Sequence, residues 1–274
     1  METPVIYFYS DKELSVEVTV DFPQGIITEW YPRADRFEPQ IGSVSGIVDG
    51  SMTWNVNVST QTLNVPPVSP ESIWHPSRQV DANYLQVGNE AERLIFYRGV
   101  GYFETPFRTT RNSNSFTLNN LNKNPSNNEI PSVLYIRVQN GRGYVETLGS
   151  LQTEKEYSVP DSSVELDMET YLEEATQKLV TQLIAAGLYE KEALAMAHTW
   201  RQAYFVTPGE RFLYILPRTW TENLLPMTMT PAPEQLTRVL VGRVEVMNTA
   251  RFNQAYSVIR QLAISQTPIG IINL

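Results

Sequence analysis

The sequence has no cysteine, two histidines and few charged residues, and each shortage excludes a class of chemistry. Without cysteine, the chain forms no disulfide, holds no cysteine-ligated zinc and has no thiol nucleophile. His75 and His198 lie in different segments, and no acidic run has the spacing of a calcium loop. The G-x-S-x-G signature of a serine hydrolase is also missing. We therefore expect no metal, no cofactor and no nucleophilic catalytic site.

The charge balance limits the choice of partner and compartment. Charged residues make up 19% of the chain and the formal net charge is -9, which disfavours nucleic acid, because nucleic-acid binding depends on Lys and Arg that neutralise phosphates. No apolar run approaches the ~20 residues of a spanning helix. A low charge fraction with 14 Tyr and 18 Pro is typical of an exported β protein. We expect an extracytoplasmic location: the periplasm, the cell surface or secretion.

The two ends of the chain agree with export. The sequence enters a strand almost directly at Pro4-Val5 and ends in the apolar run Ile269-Gly-Ile-Ile-Asn-Leu274. We expect the mature or trimmed form of a longer exported protein.

Alternation of apolar and polar residues predicts strands in the first half. In Leu14–Phe22 every second residue is apolar, and Met52–Val58 repeats the pattern, as a strand with one buried face requires. Asn140-Gly141 is a type I′ hairpin signal between strands at Pro131–Gln139 and Gly143–Leu148. Further strands are predicted at Val5–Tyr9, Ile26–Tyr31, Arg93–Val100 and Ser115–Leu118. Residues 1–160 are therefore predicted to form an antiparallel β-sandwich of Ig-like or Greek-key type.

Helical spacing appears after residue 160 and predicts an α+β part over residues 161–274. Ser162-Ser-Val-Glu165 is a candidate capping box. The stripe that follows it, Met168, Leu172, Ala175, Leu179 and Leu183, predicts a helix that ends at Gly187. A second helix is predicted over Glu190–Tyr204, with Trp200 in the core. Strands at Arg211–Leu216 and Arg238–Met247 and a final helix at Thr249–Ser265 complete this part, which is expected to pack on the sandwich or share strands with it.

The loop Pro66–Val87 is the best candidate for a binding surface. It lacks strand periodicity and carries residue types that dominate interfaces. We predict contacts from Trp74, His75, Arg78, Asp81 and Tyr84. In the alternative interpretation the loop crosses the sandwich, with Trp74 buried and Arg78 paired with Asp81.

Two other patterns predict local structure rather than a functional site. Arg98-Gly-Val-Gly101 lacks the third glycine and the helix of a dinucleotide turn, so it predicts a bulge or a close approach of two backbones. The Asn-rich tract 112–128 predicts a flexible loop and a site of proteolysis.

Several segments resemble those of a family of uncharacterised, mostly exported bacterial proteins. The matching stretches are Glu2-Thr-Pro-Val-Ile-Tyr-Phe-Tyr9, Ile27-Thr-Glu-Trp-Tyr-Pro32, Phe96-Tyr-Arg-Gly-Val-Gly101, Leu194-Ala-Met-Ala-His-Thr-Trp-Arg201 and Arg238-Val-Leu-Val-Gly-Arg-Val-Glu245. The resemblance implies an extracytoplasmic protein without a membrane span, and it brings no activity with it.

Two functions follow as hypotheses. The first is a non-catalytic binding, scaffold or assembly protein whose partner is a protein or a component of the cell envelope, with self-association as one form. The alternative is a carboxylate-dependent hydrolase acting on polysaccharide, with Glu29, Asp81 and Glu104 as candidate carboxylates beside aromatic residues. Carboxyl groups about 5–9.5 Å apart in a cleft would favour the enzyme.

Overall fold

The computed structural model describes residues 5–39, 49–123, 129–159 and 165–246, with residues 253, 256–258 and 260. Strand accounts for 45% and helix for 22% of it, and each ladder between the named strands is antiparallel. The prediction of an α+β protein built mainly from antiparallel, sandwich-like sheets is confirmed at this level.

The elements follow in chain order. The strands before the first helix are β1 (Val5–Ile6), β2 (Leu14–Phe22), β3 (Gly25–Tyr31), β4 (Arg36–Glu38), β5 (Gly50–Ser59), β6 (Tyr84–Val87), β7 (Glu90–Glu92), β8 (Ile95–Gly101), β9 (Phe107–Asn112), β10 (Ser115–Asn120), β11 (Ile130–Gln139), β12 (Arg142–Leu151), β13 (Glu154–Ser158) and β14 (Leu166–Asp167). After them come α1 (Met168–Ala185), α2 (Glu190–Thr199), β15 (Gly209–Ile215), α3 (Arg218–Leu224), β16 (Met227–Thr230) and β17 (Val241–Val246).

These strands form four sheets. A six-stranded sheet has the order β16-β2-β5-β6-β7, with β4 also on β5, and a three-stranded sheet has the order β1-β8-β3. The others are a β13-β10-β9 sheet and a five-stranded sheet, β14-β12-β11-β15-β17. Strands from both sides of residue 160 therefore share the five-stranded and six-stranded sheets. The division into domains at residue 160 stays a prediction.

The alternating strand β2 supplies the core as its sequence predicts. Val16, Val18 and Val20 are buried, and Trp54 of the neighbouring strand β5 is fully buried. The Trp54 indole N–H donates to the Pro32 carbonyl at 2.9 Å, so the polar atom of this side chain is satisfied. Its ring lies 6.1 Å from that of Tyr97 on β8, so the six-stranded and β1-β8-β3 sheets pack face to face.

The central strand β11 is buried on both faces, which explains why its sequence does not alternate. Tyr135 faces the β13-β10-β9 sheet, where its ring lies 5.8 Å from that of Phe116. Leu134 and Ile136 belong to the opposite core, beneath α1 and α2. Gly143 is needed there, because a Cβ atom would come 2.3 Å from the ring of Tyr171 on α1. The five-stranded sheet is thus the middle layer of three.

Helix α1 bears out the predicted stripe but not the predicted capping box. The Asp167 carboxylate caps α1 by accepting from the Thr170 N–H at 3.0 Å. Residues 162–164 lie outside the described ranges, and the Glu165 carboxylate accepts instead from Arg137 Nε at 2.8 Å. Glu165 therefore neutralises a buried guanidinium on β11.

Helix α2 ends at Thr199, five residues before the predicted end, and Gln202–Val206 forms a π turn. The guanidinium of Arg211, which is fully buried, donates to the Tyr204 carbonyl at 3.0 Å and to the Thr207 carbonyl at 2.7 Å. These bonds satisfy carbonyls at the end of the turn. Trp200 packs on the helical core but stays half-buried.

Other predictions are corrected or lie outside the described ranges. The Asn-rich tract is not one loop, because Ser115–Asn120 is the middle strand of a sheet; residues 124–128 lie outside the description. The predicted strand at Arg238–Met247 begins only at Val241. Of the predicted helix at Thr249–Ser265, residues 253, 256–258 and 260 are described and are helical; the other residues lie outside the description.

Buried tyrosines give the fold a pH dependence on the alkaline side. Burial raises the pKa of Tyr97 and Tyr214 to about 12 and raises the pKa of Tyr171 as well. An unfolded tyrosine has a pKa near 10, so the unfolded chain releases these protons first as the pH rises. The stabilisation is complete below about pH 10 and is lost as the pH climbs from about 10 to about 12. Thermal melting at matched ionic strength checks this, and a midpoint that stays constant across that interval would contradict it.

Candidate functional site

The loop predicted as a binding surface is a strap fixed to the body of the protein. We use the name strap for residues 66–83; the rest of the predicted loop, Tyr84–Val87, is strand β6. A 3-10 turn at Pro76–Gln79 packs on α2. The Ser77 carbonyl accepts from the Tyr7 hydroxyl at 3.0 Å, and the Asn83 N–H donates to the Phe8 carbonyl at 2.9 Å. The strap is thereby bonded at Ser77 and Asn83 to the segment that follows β1.

Arg78 pairs with Glu92 of β7, so the alternative expectation of an Arg78–Asp81 pair is wrong. Arg78 Nε lies 3.0 Å from both carboxylate oxygens of Glu92, and a terminal nitrogen of the guanidinium makes a further contact with Oε2. The Glu92 side chain is 1% exposed and that of Arg78 is 12% exposed. Arg78 Nη1 also donates to the Pro66 carbonyl at 2.7 Å. Arg78 therefore joins the strap to a buried carboxylate on β7 and to the start of the strap at Pro66.

Asp81 pairs with Lys191 in the first turn of α2. The ammonium lies 2.8 Å from Oδ1 and 2.7 Å from Oδ2 of the carboxylate. Both side chains are largely in solvent, 74% exposed for Asp81 and 55% for Lys191. Asp81 is the one residue of the predicted five that belongs to the exposed class.

The three aromatic members of the predicted site are half-buried. The Trp74 ring meets Phe96 edge-on, with centroids 4.5 Å apart. The Arg93 guanidinium lies 4.3 Å from the Tyr84 ring centroid and donates to the Tyr84 hydroxyl at 2.7 Å. His75 Nδ1 is buried without a hydrogen-bond partner among the described residues. The contacts of Trp74 and Tyr84 described here are with other residues of the same chain. Binding of a partner by these residues stays a prediction.

A second surface, which sequence reasoning missed, lies where α1 turns into α2. Tyr9, Ile184 and Tyr189 are 45%, 43% and 63% exposed, and they are three of the eight large apolar side chains exposed among the described residues. We call these three residues the hairpin tip. The rings of Tyr9 and Tyr189 meet edge-on, with centroids 5.1 Å apart. The sequence does not predict the contact between Tyr9 and Tyr189, because the two residues are 180 positions apart in the chain.

Glu192 holds the hairpin tip in place. Its Oε1 accepts from the Tyr9 hydroxyl at 2.8 Å and its Oε2 from the Tyr189 N–H at 2.8 Å. Partial burial and this carboxylate raise the pKa of Tyr9. The Asp81–Lys191 pair, next to Glu192 on the same helix turn, borders the tip with charge.

The three carboxylates expected for a hydrolase are not brought together. Glu29 forms an exposed ion pair with Arg98 in the middle of the β3–β8 ladder. One end of this ladder is the Gly25–Gly101 pair, and Gly25 is four residues from Glu29 and therefore about 13 Å away along β3. Glu104 follows Gly101 beyond that end, and Asp81 is engaged with Lys191 on α2.

Two other carboxylates join the β13-β10-β9 sheet to the five-stranded sheet. Glu146 Oε2 accepts from the Tyr144 and Tyr157 hydroxyls, both at 2.7 Å. Glu210 accepts from the Tyr135 hydroxyl at 2.9 Å and from Arg111 Nη1 at 2.8 Å. Because Tyr157 and Arg111 come from the opposite sheet, these bonds clamp the layers together. We assign this cluster a structural role.

Within the part of the chain that the structure describes, no group of three or more His, Cys, Asp or Glu could hold a metal ion. No described helix combines the length and the apolar character needed to cross a membrane. His198, one of the two histidines, is exposed on α2.

Comparison with protein-family models, curated proteins and solved structures finds no match to this chain. The resemblance to exported bacterial proteins thus stays a prediction.

Removing the Arg78 side chain should destabilise the fold severely. Arg78→Ala leaves the Glu92 carboxylate buried without its cation, and breaking a buried pair in this way costs about 3–5 kcal/mol. Asp81→Asn is the matched control, since an exposed ion pair contributes little. Urea unfolding of both variants checks the contrast. Equal midpoints for Arg78→Ala and the parent would show that Glu92 is neutralised by other means.

Proposed function

We propose that this protein is a non-catalytic, extracytoplasmic binding or assembly protein that contacts a protein partner through the hairpin tip. The observation that carries the proposal is the exposure of Tyr9, Ile184 and Tyr189 at one end of the α1–α2 hairpin. Exposed side chains that contact one another beside charged groups, as the Tyr9 and Tyr189 rings do, are typical of interaction sites. Tyrosine is also among the residues that contribute most to interface energies.

The tip is ordered before any partner arrives, which supports binding. Glu192 bonds both Tyr9 and the backbone of Tyr189, and the Asp81–Lys191 pair holds the strap beside them. Immobilising a mobile side chain on binding costs about 0.5–1.5 kcal/mol, so side chains fixed in advance reduce the cost of association.

The binding function is preferred to the polysaccharide hydrolase for a geometric reason. A glycosidase needs two carboxyl groups about 5–9.5 Å apart, whereas Glu29, Asp81 and Glu104 are distributed over separate parts of the molecule. Glu146 and Glu210 are already bonded to tyrosine hydroxyls in the cross-sheet clamp.

The location and the finer fold are part of the proposal. Low charge content and abundant tyrosine support an extracytoplasmic protein. We infer an Ig-like, Greek-key arrangement of the first half. Its support is that successive strands change sheets: β2 lies in the six-stranded sheet, β3 in the β1-β8-β3 sheet, β5 to β7 in the former and β8 in the latter.

Site-specific photo-crosslinking tests the proposed surface. A photoreactive phenylalanine derivative replaces Tyr189, and the same derivative replaces Tyr102 as the control, because Tyr102 is 76% exposed but lies at the end of β8. Irradiation with envelope and secreted fractions of the organism of origin should give a discrete protein adduct from position 189. Adducts from position 102 alone, or equally from both positions, would overturn the assignment.

Truncation then measures the contribution of the tip to affinity. With the partner recovered by crosslinking, Tyr9→Ala and Tyr189→Ala should each weaken binding about tenfold or more, as expected for interface tyrosines worth over ~1.4 kcal/mol. Tyr102→Ala should leave the dissociation constant unchanged. Calorimetry with folded variants provides the measurement, and an unchanged affinity for both tip variants would contradict the proposal.

A further inference from the structure

Tyr9 and Tyr189 have the arrangement of an oxidisable pair, apart from any partner they bind. Their ring centroids are 5.1 Å apart and the interplanar angle is 76°. Both rings reach solvent, at 45% and 63% exposure. The two residues belong to distant segments, the chain after β1 and the link before α2, so a bond between them would join parts of the fold that have no covalent connection nearby.

The immediate surroundings favour removal of an electron from Tyr9. A phenol that loses an electron becomes strongly acidic and must transfer its proton. The Tyr9 hydroxyl already donates to Glu192 Oε1 at 2.8 Å, so an acceptor for that proton is in place. Glu192 is fixed by its second bond to the Tyr189 N–H, which keeps the acceptor beside the pair.

We propose that Tyr9 and Tyr189 form an intramolecular dityrosine cross-link under peroxidase-type oxidation. A haem peroxidase with hydrogen peroxide removes one electron and one proton from each phenol. The two radicals couple through ring carbons ortho to the hydroxyls, and each of these carbons loses its hydrogen as a proton that restores the phenol. In total, two tyrosines and one hydrogen peroxide give one cross-link and two waters.

Other tyrosines of the chain illustrate the two features that the Tyr9–Tyr189 pair combines, which are close ring contact and exposure to solvent. Tyr135 and Tyr157 also lie close together, with centroids 5.3 Å apart and hydroxyls bonded to carboxylates. They are 0% and 8% exposed, however, so a protein oxidant cannot reach them. Tyr102 is the reverse case: it is 76% exposed but makes no ring contact with another aromatic residue among the described residues.

The cross-link would stabilise a protein that has no cysteine. It closes a loop from residue 9 to residue 189, and a covalent bond across a long loop restricts the unfolded chain, as a disulfide does. It would also lock the hairpin tip in the arrangement described above. The cross-link is independent of the proposed partner binding, because its product is measured on the isolated protein.

Treatment of the dilute protein with horseradish peroxidase and hydrogen peroxide tests the proposal. The monomer should lose the mass of two hydrogen atoms and gain dityrosine fluorescence. Peptide mapping should join the segments that contain Tyr9 and Tyr189, and the oxidised monomer should melt at a higher temperature. Tyr9→Phe and Tyr189→Phe should each abolish the product in the monomer, and Tyr102→Phe should retain it.

Two further results decide the role of the carboxylate and the validity of the site. Glu192→Gln keeps a hydrogen-bond acceptor for Tyr9 but removes the base, so the initial rate of cross-linking should fall. A cross-link that maps to other tyrosines, a product confined to dimers, or full retention of the monomer product in Tyr189→Phe would overturn the proposal. None of these outcomes depends on whether a partner binds the tip.

Discussion

The buried ion pair between Arg78 and Glu92 is the interaction on which the arrangement of the functional surface depends. Glu92 lies on the edge strand β7, where its side chain is 1% exposed, and an ionised carboxylate at such a position requires a cation and hydrogen bonds. Arg78 supplies both, and its Nη1 donates to the Pro66 carbonyl. The strap must therefore cross the protein surface at this point, and its 3-10 turn is brought against α2.

A chain of contacts leads from this pair to the hairpin tip. The turn at Pro76–Gln79 rests on α2, Asp81 then meets Lys191, and the same helix turn carries Glu192, which holds Tyr9. Buried ion pairs add little net stability because desolvation offsets their attraction. Their removal is nevertheless costly, so the pair fixes the position of the strap more than it stabilises the fold. Through these contacts the hairpin tip is held in a fixed position as well.

Much of the fold could be predicted where a single periodic pattern decides the structure. The alternation in β2 is compatible with a strand alone, and the apolar stripe of α1 with a helix alone. The structure contains both elements. Strand β11 was located from the Asn140-Gly141 turn, but nothing in its sequence told which layers cover its two faces. Short strands such as β7, with three residues, carry too few residues for a pattern.

The site was harder to predict because it depends on which side chains pair with one another in the folded chain. Sequence reasoning identified the strap as unusual, and its residues do make specific contacts. In the alternative interpretation of the loop, Asp81 was the partner of Arg78, whereas the fold brings Glu92 from another strand into the buried position. Tyr9 and Tyr189 form a surface only once the α1–α2 hairpin docks beside the first strand. Such pairings are tertiary and leave no local signal.

Native-state hydrogen exchange of the strap tests the central claim most directly. The Arg78 amide donates to the His75 carbonyl at 3.1 Å and the Asn83 amide to the Phe8 carbonyl at 2.9 Å. If the strap is fixed by the buried pair, these two amides should be protected to the same degree as amides of the buried strand β5, because they open only with the sheet. If they exchange as fast as the exposed turn at Asn140-Gly141, the strap is mobile and the account of the surface is wrong.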